Sequence, residues 1–192
     1  MKVKRWSHTE QVFLEGLLYA VPALGVLAVG ARLLHAVRGG ALAATGPLPD
    51  ALVRPPGGVT GPLSGTVVVA DPGASDYGWD LLPLVLAVAV ATFGAFLLLG
   101  IARGLRAGDP FTMANARRLT SLAVLVTVGG LFLQIFHSIS RDALLAAALP
   151  GQELPTVFEL SFWPAPVGML IFFLAEVFAR GARLREDVEG LV

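Results

Sequence analysis

Apolar and polar positions fall in blocks along this chain. Leu81–Ala102 and Leu119–Ser140 contain no Asp, Glu, Lys or Arg. Val12–Leu34 carries only Glu15 near its start and Arg32 near its end, and Leu160–Ala179 carries only Glu176 in its last turn. A helix of about 22 residues rises roughly 33 Å, enough for a hydrocarbon core of about 30 Å. The pattern predicts an all-α membrane protein, a bundle of four transmembrane helices over about 12–34, 81–102, 113–140 and 160–185. Together they make one membrane domain over 1–192, with outer loops 39–80 and 141–159 and an inner loop 103–112.

Loop chemistry refines this picture. The 39–80 loop is rich in Gly and Pro and resists helix over most of its length. Thr66–Val69 reads as a short strand closed by Asp71-Pro72-Gly73, and a partner near Ala51–Arg54 or Gly58–Thr60 would complete a small extracytoplasmic β-hairpin. In the second outer loop, Ala143–Leu149 would prolong the third helix until Pro150-Gly151 stops it. Pro83 is expected in the first turn of helix 2, and Pro164 and Pro166 in that of helix 4, where a missing N–H costs little. Pro22 falls mid-helix, where a kink is expected.

Charge sets the expected orientation. Lys2, Lys4, Arg5, Arg103, Arg106, Arg117, Arg118, Arg180, Arg183 and Arg185 are ten of the fourteen basic residues, and four spans put all ten on one side. The positive-inside rule makes that side cytoplasmic, with both termini in the cytoplasm of a cell-membrane protein. Met1–Arg5 followed by an apolar run also resembles a signal peptide, but the run is longer than a signal core and holds Glu15, so a retained helix is expected.

Composition narrows the chemistry. The chain is 55% hydrophobic and 15% charged, with a net charge of zero and no cysteine, and its mean hydropathy is +0.74. A neutral chain lacks the basic field that nucleic acid needs, and without cysteine there are no disulfides and no thiolate sites. No nucleophile elbow, P-loop, zinc-protease motif or dinucleotide fingerprint occurs, so neither an enzyme nor a cofactor is expected. The ionisable and polar groups in the spans form a candidate intramembrane site: Glu15, Glu176, Gln134 and His137. Glu176 and Arg180 have the spacing of a helical ion pair, the simpler reading, whereas Glu15 facing Glu176 would begin a proton or cation path. Ala87, Ala91 and Ala95, with the Gly100–Gly104 GxxxG, offer a small-residue surface for packing within the bundle or for a homodimer.

Two stretches are distinctive: Gly108-Asp109-Pro110-Phe111-Thr112-Met113-Ala114-Asn115-Ala116-Arg117-Arg118-Leu119, leading into helix 3, and the tail from Ala175 through Glu176 and Arg180 to Val192. With the four-span layout, they resemble the bacterial family called domain of unknown function 2975. The resemblance covers helices 2 to 4 well and helix 1 by position only. It implies no activity. Because members often lie beside genes for small helix-turn-helix regulators, it implies a membrane partner for such a protein. Read locally, Asp109-Pro110 or Thr112 caps helix 3. Arg117, Arg118, Arg180, Arg183 and Arg185 are the candidate contacts for a cytoplasmic protein or for lipid headgroups. The expected role is a non-enzymatic regulatory or scaffolding partner, and the alternative is a small transporter or channel subunit.

Overall fold

A computed structural model describes residues 8–48, 63–106, 110–154 and 160–189. In chain order its elements are α1 (His8–Val37), β1 (Leu42–Leu48), β2 (Leu63–Val69), α2 (Ala74–Arg106) and α3 (Met113–Val124). A π-helical turn, Leu125–Gly129, then leads into α4 (Gly130–Ala148), and α5 (Pro164–Glu189) closes the described chain. Among the described residues, four stretches are long and apolar enough to cross a membrane: Glu15–Val37, Ala74–Arg106, Met113–Ala148 and Pro164–Asp187. They mark a multi-pass membrane protein, with α3, the π turn and α4 forming one span of 36 residues.

Local chemistry explains the helix ends. Gly39, at φ 65°, closes α1 with the paired bonds Gly40 N–H to His35 O and Gly39 N–H to Ala36 O. Helix α2 starts earlier than expected. Gly73 N–H donates to Asp76 Oδ2 at 2.8 Å, and the Asp76 and Tyr77 amides donate to Gly73 O, nucleating helix just after the Asp71-Pro72-Gly73 turn. Pro83 therefore lies in the third turn of α2, not its first. Helix α4 does persist to Ala148, and α5 does open on Pro164. Helix α1 runs through Pro22.

The chain divides into two compact units. One consists of Met1–Leu27, Val88–Leu131 and Phe162–Val192, the other of Ala28–Ala87 and Phe132–Ser161. The second unit holds the hairpin, and here the expected pairing is corrected. The partner of β2 is β1, in an antiparallel register running from Leu42 opposite Val69 to Leu48 opposite Leu63. The segments near 51–54 and 58–60 lie outside the described residues. The alternation of β1 matches the pleat over its first four residues: Leu42 and Ala44 face inward, Ala43 and Thr45 outward. Leu42, Ala44 and Val69 bury against Leu144 and Leu145 of α4, and Tyr77 donates its hydroxyl to Gly40 O at 2.7 Å. The hairpin is thus clasped by both α4 and the start of α2.

In the first unit, α5 packs along α3 and the π turn. Ile101, Leu119 and Ala175 form the buried centre, flanked by Ile171 and Phe178. The Phe111 ring lies 5.2 Å from that of Phe178, so the segment before α3 is held on α5 as well.

Candidate functional site

Among the described residues, two polar clusters interrupt the apolar helices. The first is built at the start of α3. Thr112 is the N-cap, its hydroxyl accepting from Asn115 N–H at 3.2 Å, while the expected alternative at Asp109 lies outside the described residues. This cap turns Asn115 inward, where it is 0% exposed. Its Nδ2 donates to Pro110 O at 3.1 Å, and its Oδ1 accepts from Arg118 Nη1 at 3.0 Å. Arg118 Nη1 also donates to Gly100 O at 2.9 Å. Both glycines of the GxxxG are needed here: a Cβ on Gly104 would overlap the Asn115 side chain, and one on Gly100 would come within 2.7 Å of Arg118 Nε. The small-residue pair therefore seats the polar side chains of α3 within the chain.

Each candidate residue of this unit has a definite place beside the Asn115–Arg118 clamp or apart from it. Arg118 points into the α2–α3 contact, whereas Arg117 is exposed. Glu15 forms an ion pair with Arg106 at the end of α2, and Tyr19 accepts from Arg103 Nη2 at 3.1 Å, which fastens α1 to α2. Glu176 pairs with Arg180 at 3.0 Å, an exposed contact one turn apart on α5. The two glutamates thus take different arginines. Arg183 and Arg185 lie exposed on the last turns of α5.

The second cluster lies in the other unit, in a groove of about 560 Å³. Helix α4 contributes Leu133, Gln134, His137, Ser138 and Arg141; α2 adds Pro83 and Ala87, and β1 adds Thr45. The α4 positions recur at three- and four-residue steps and so share one face. Gln134 is anchored rather than dangling: its Nε2 donates to Ser161 O at 2.9 Å, and its Oε1 accepts from Ser161 N–H at 2.6 Å. Arg141 Nε donates to Asp142 Oδ1 at 3.2 Å, the arginine side chain being 12% exposed, and its aliphatic carbons lie beside Gly46. Ser138 is 4% exposed, His137 is open, and the Thr45 hydroxyl meets that of Thr66 at 2.8 Å. Nearby in the same unit, Arg32 pairs with Asp80 at 3.2 Å and His35 Nε2 donates to Ala41 O at 3.1 Å, so the polar pair of α1 serves helix ends and the hairpin entry.

Sequence reasoning singled out Gln134 and His137 but missed Thr45 and Arg141 as their neighbours. The signal for Arg141 was present, since it lies two helical turns beyond Gln134 on the same face. Nothing local connects Thr45 to them; only the hairpin pairing brings it there. Among the described residues, no group of three or more His, Asp or Glu side chains converges to hold a metal ion.

A family model described as "Protein of unknown function (DUF2975)" matches residues 63–192, the stretch that carries β2, α2 and everything after it. No curated protein and no solved structure matches the chain.

Proposed function

The chain belongs to the DUF2975 family, and from that premise we propose that it is a non-enzymatic regulatory or scaffolding protein of the cell membrane, docking a cytoplasmic partner through its arginine-bearing ends. One observation carries the reading. Helix α5 continues to Glu189, past the Leu160–Ala179 run whose one charge is Glu176, and presents Arg183, Leu184, Arg185, Glu186 and Asp187 as an exposed segment in which Leu184 is 67% exposed. An apolar side chain framed by charges of both signs suits a protein surface better than the hydrocarbon interior. Asn115 and Arg118 are engaged inside the fold, which leaves Arg117 as the outward member of its motif. The excess of Lys and Arg on this side supports a cytoplasmic location for both termini. A small helix-turn-helix regulator is the partner class that the family association favours, the protein itself making no direct contact with nucleic acid.

The test is recovery of a defined partner with the full tagged chain in mild detergent. Arg117→Glu combined with Arg183→Glu is expected to abolish recovery, whereas wild-type recovery by this double variant overturns the docking surface. The alternative, a small transporter or channel subunit, draws on Glu15, Glu176, Gln134 and His137. The separate partners of Glu15, Glu176 and Gln134 give it less support, and unchanged flux through proteoliposomes bearing Glu176→Gln would remove its proton-path form.

A further inference from the structure

The groove beside the hairpin is graded in polarity along its length. Helices α2 and α4 belong to successive spans, so Pro83 and Arg141 lie towards the hairpin end, and Ala87 and Leu133 deeper along the helices. The hairpin end is lined by Arg141, His137, Thr45 and Ser138, of which His137 is exposed. The deep end carries the aliphatic Ala87 and Leu133, with Gln134 bonded through both amide atoms to Ser161. Asp80 is the last formal charge of α2 before Arg103, so hydrocarbon begins within a turn or so of Pro83.

From this arrangement, we propose that the groove binds one anionic membrane amphiphile, its phosphate or carboxylate headgroup at Arg141 and His137 and its acyl chain along Ala87 and Leu133. A groove of about 560 Å³ is within the size range of ligand sites. Where it opens on the bilayer, an aliphatic recess is filled by acyl chain, because water there would find no hydrogen-bond partner. At the other end, a planar guanidinium and neighbouring hydroxyls match the oxygens of an anionic headgroup. Asp142 offsets part of the Arg141 charge, so the headgroup preference is moderate rather than absolute. Gln134 holds Ser161 and so keeps the deep wall in place without contacting the headgroup. This site does not depend on the docking surface at the end of α5.

Native mass spectrometry of the full-length chain, purified in detergent and titrated with phosphatidylglycerol or phosphatidylcholine, tests it. One phosphatidylglycerol per chain should be retained, with an apparent Kd about tenfold weaker in Arg141→Gln, the loss of one charge-assisted contact. Because Arg141 also packs against Gly46, two further variants guard against a simple loss of folding. His137→Glu places a repelling charge at an exposed position, and Ala87→Trp fills the acyl recess; each should weaken phosphatidylglycerol retention by a similar factor. Inorganic phosphate at millimolar concentration should not displace the lipid. Equal retention of the two lipids, wild-type retention by both His137→Glu and Ala87→Trp, or displacement by phosphate alone would each overturn the proposal.

Discussion

The clamp around Asn115 and the groove around Arg141 place similar polar groups among apolar helices, but they use them differently. In the clamp, each side-chain polar group described meets another group of the protein at close range, and the centre is fully buried. A satisfied buried network fixes geometry and has little capacity left for a ligand. In the groove, His137 is exposed, and the lining passes from polar residues around it to Ala87 and Leu133. A ligand can complete what the fold leaves exposed there. The comparison suggests a practical criterion for membrane proteins, where every intramembrane polar residue invites a functional reading: ask first whether its partners are already inside the chain.

Substitutions can break this contrast, and they rank by how much packing each disturbs. Gly104→Val should do the most damage, since the new side chain must occupy the space of the buried Asn115 amide; overpacking of this kind costs about 3 kcal/mol. A marked fall in the apparent unfolding temperature of the detergent-purified protein is the expected result. Asn115→Ala comes next, leaving Pro110 O and Arg118 short of a partner at a cost of about 2 kcal/mol in the same assay. Gln134→Ala removes two bonds to the Ser161 backbone near the chain's entry to α5, and about 1 kcal/mol is expected. Its further signature is faster amide exchange at Ser161, which the clamp variants should leave unchanged. Arg180→Gln should be the mildest, since an exposed pair one turn apart contributes about 0.5 kcal/mol or less. A large destabilisation by Arg180→Gln, or none by Asn115→Ala, would contradict the division into closed and open clusters.

Helix α1 provides a second contrast. Its most apolar stretch has no buried residue, whereas each of the other spans buries part of its own. What holds it to α2 within the first unit is polar, Glu15 to Arg106 and Tyr19 to Arg103, together with the close approach of Gly25 to Val88. Hydropathy alone makes α1 look like the other spans, because transfer from water to lipid depends on composition and not on which neighbour is touched.

Much of the architecture was open to reading from local pattern. The four spans follow from the cost of placing charge in hydrocarbon, the start of α3 from Thr112 as a cap, the start of α5 from Pro164, and the stop of α4 from Pro150-Gly151. These are short-range effects, each decided within a few residues. The fold decided what local pattern leaves degenerate: β1 as the partner of β2, Arg106 as the partner of Glu15, Asn115 as the residue that the GxxxG accommodates, and Thr45 as a neighbour of Arg141. Any of several strands, arginines or small-residue rows would have met the local requirements. The choice among them rested on side chains fitting one another across long stretches of chain, and that fit has no period or composition to announce it.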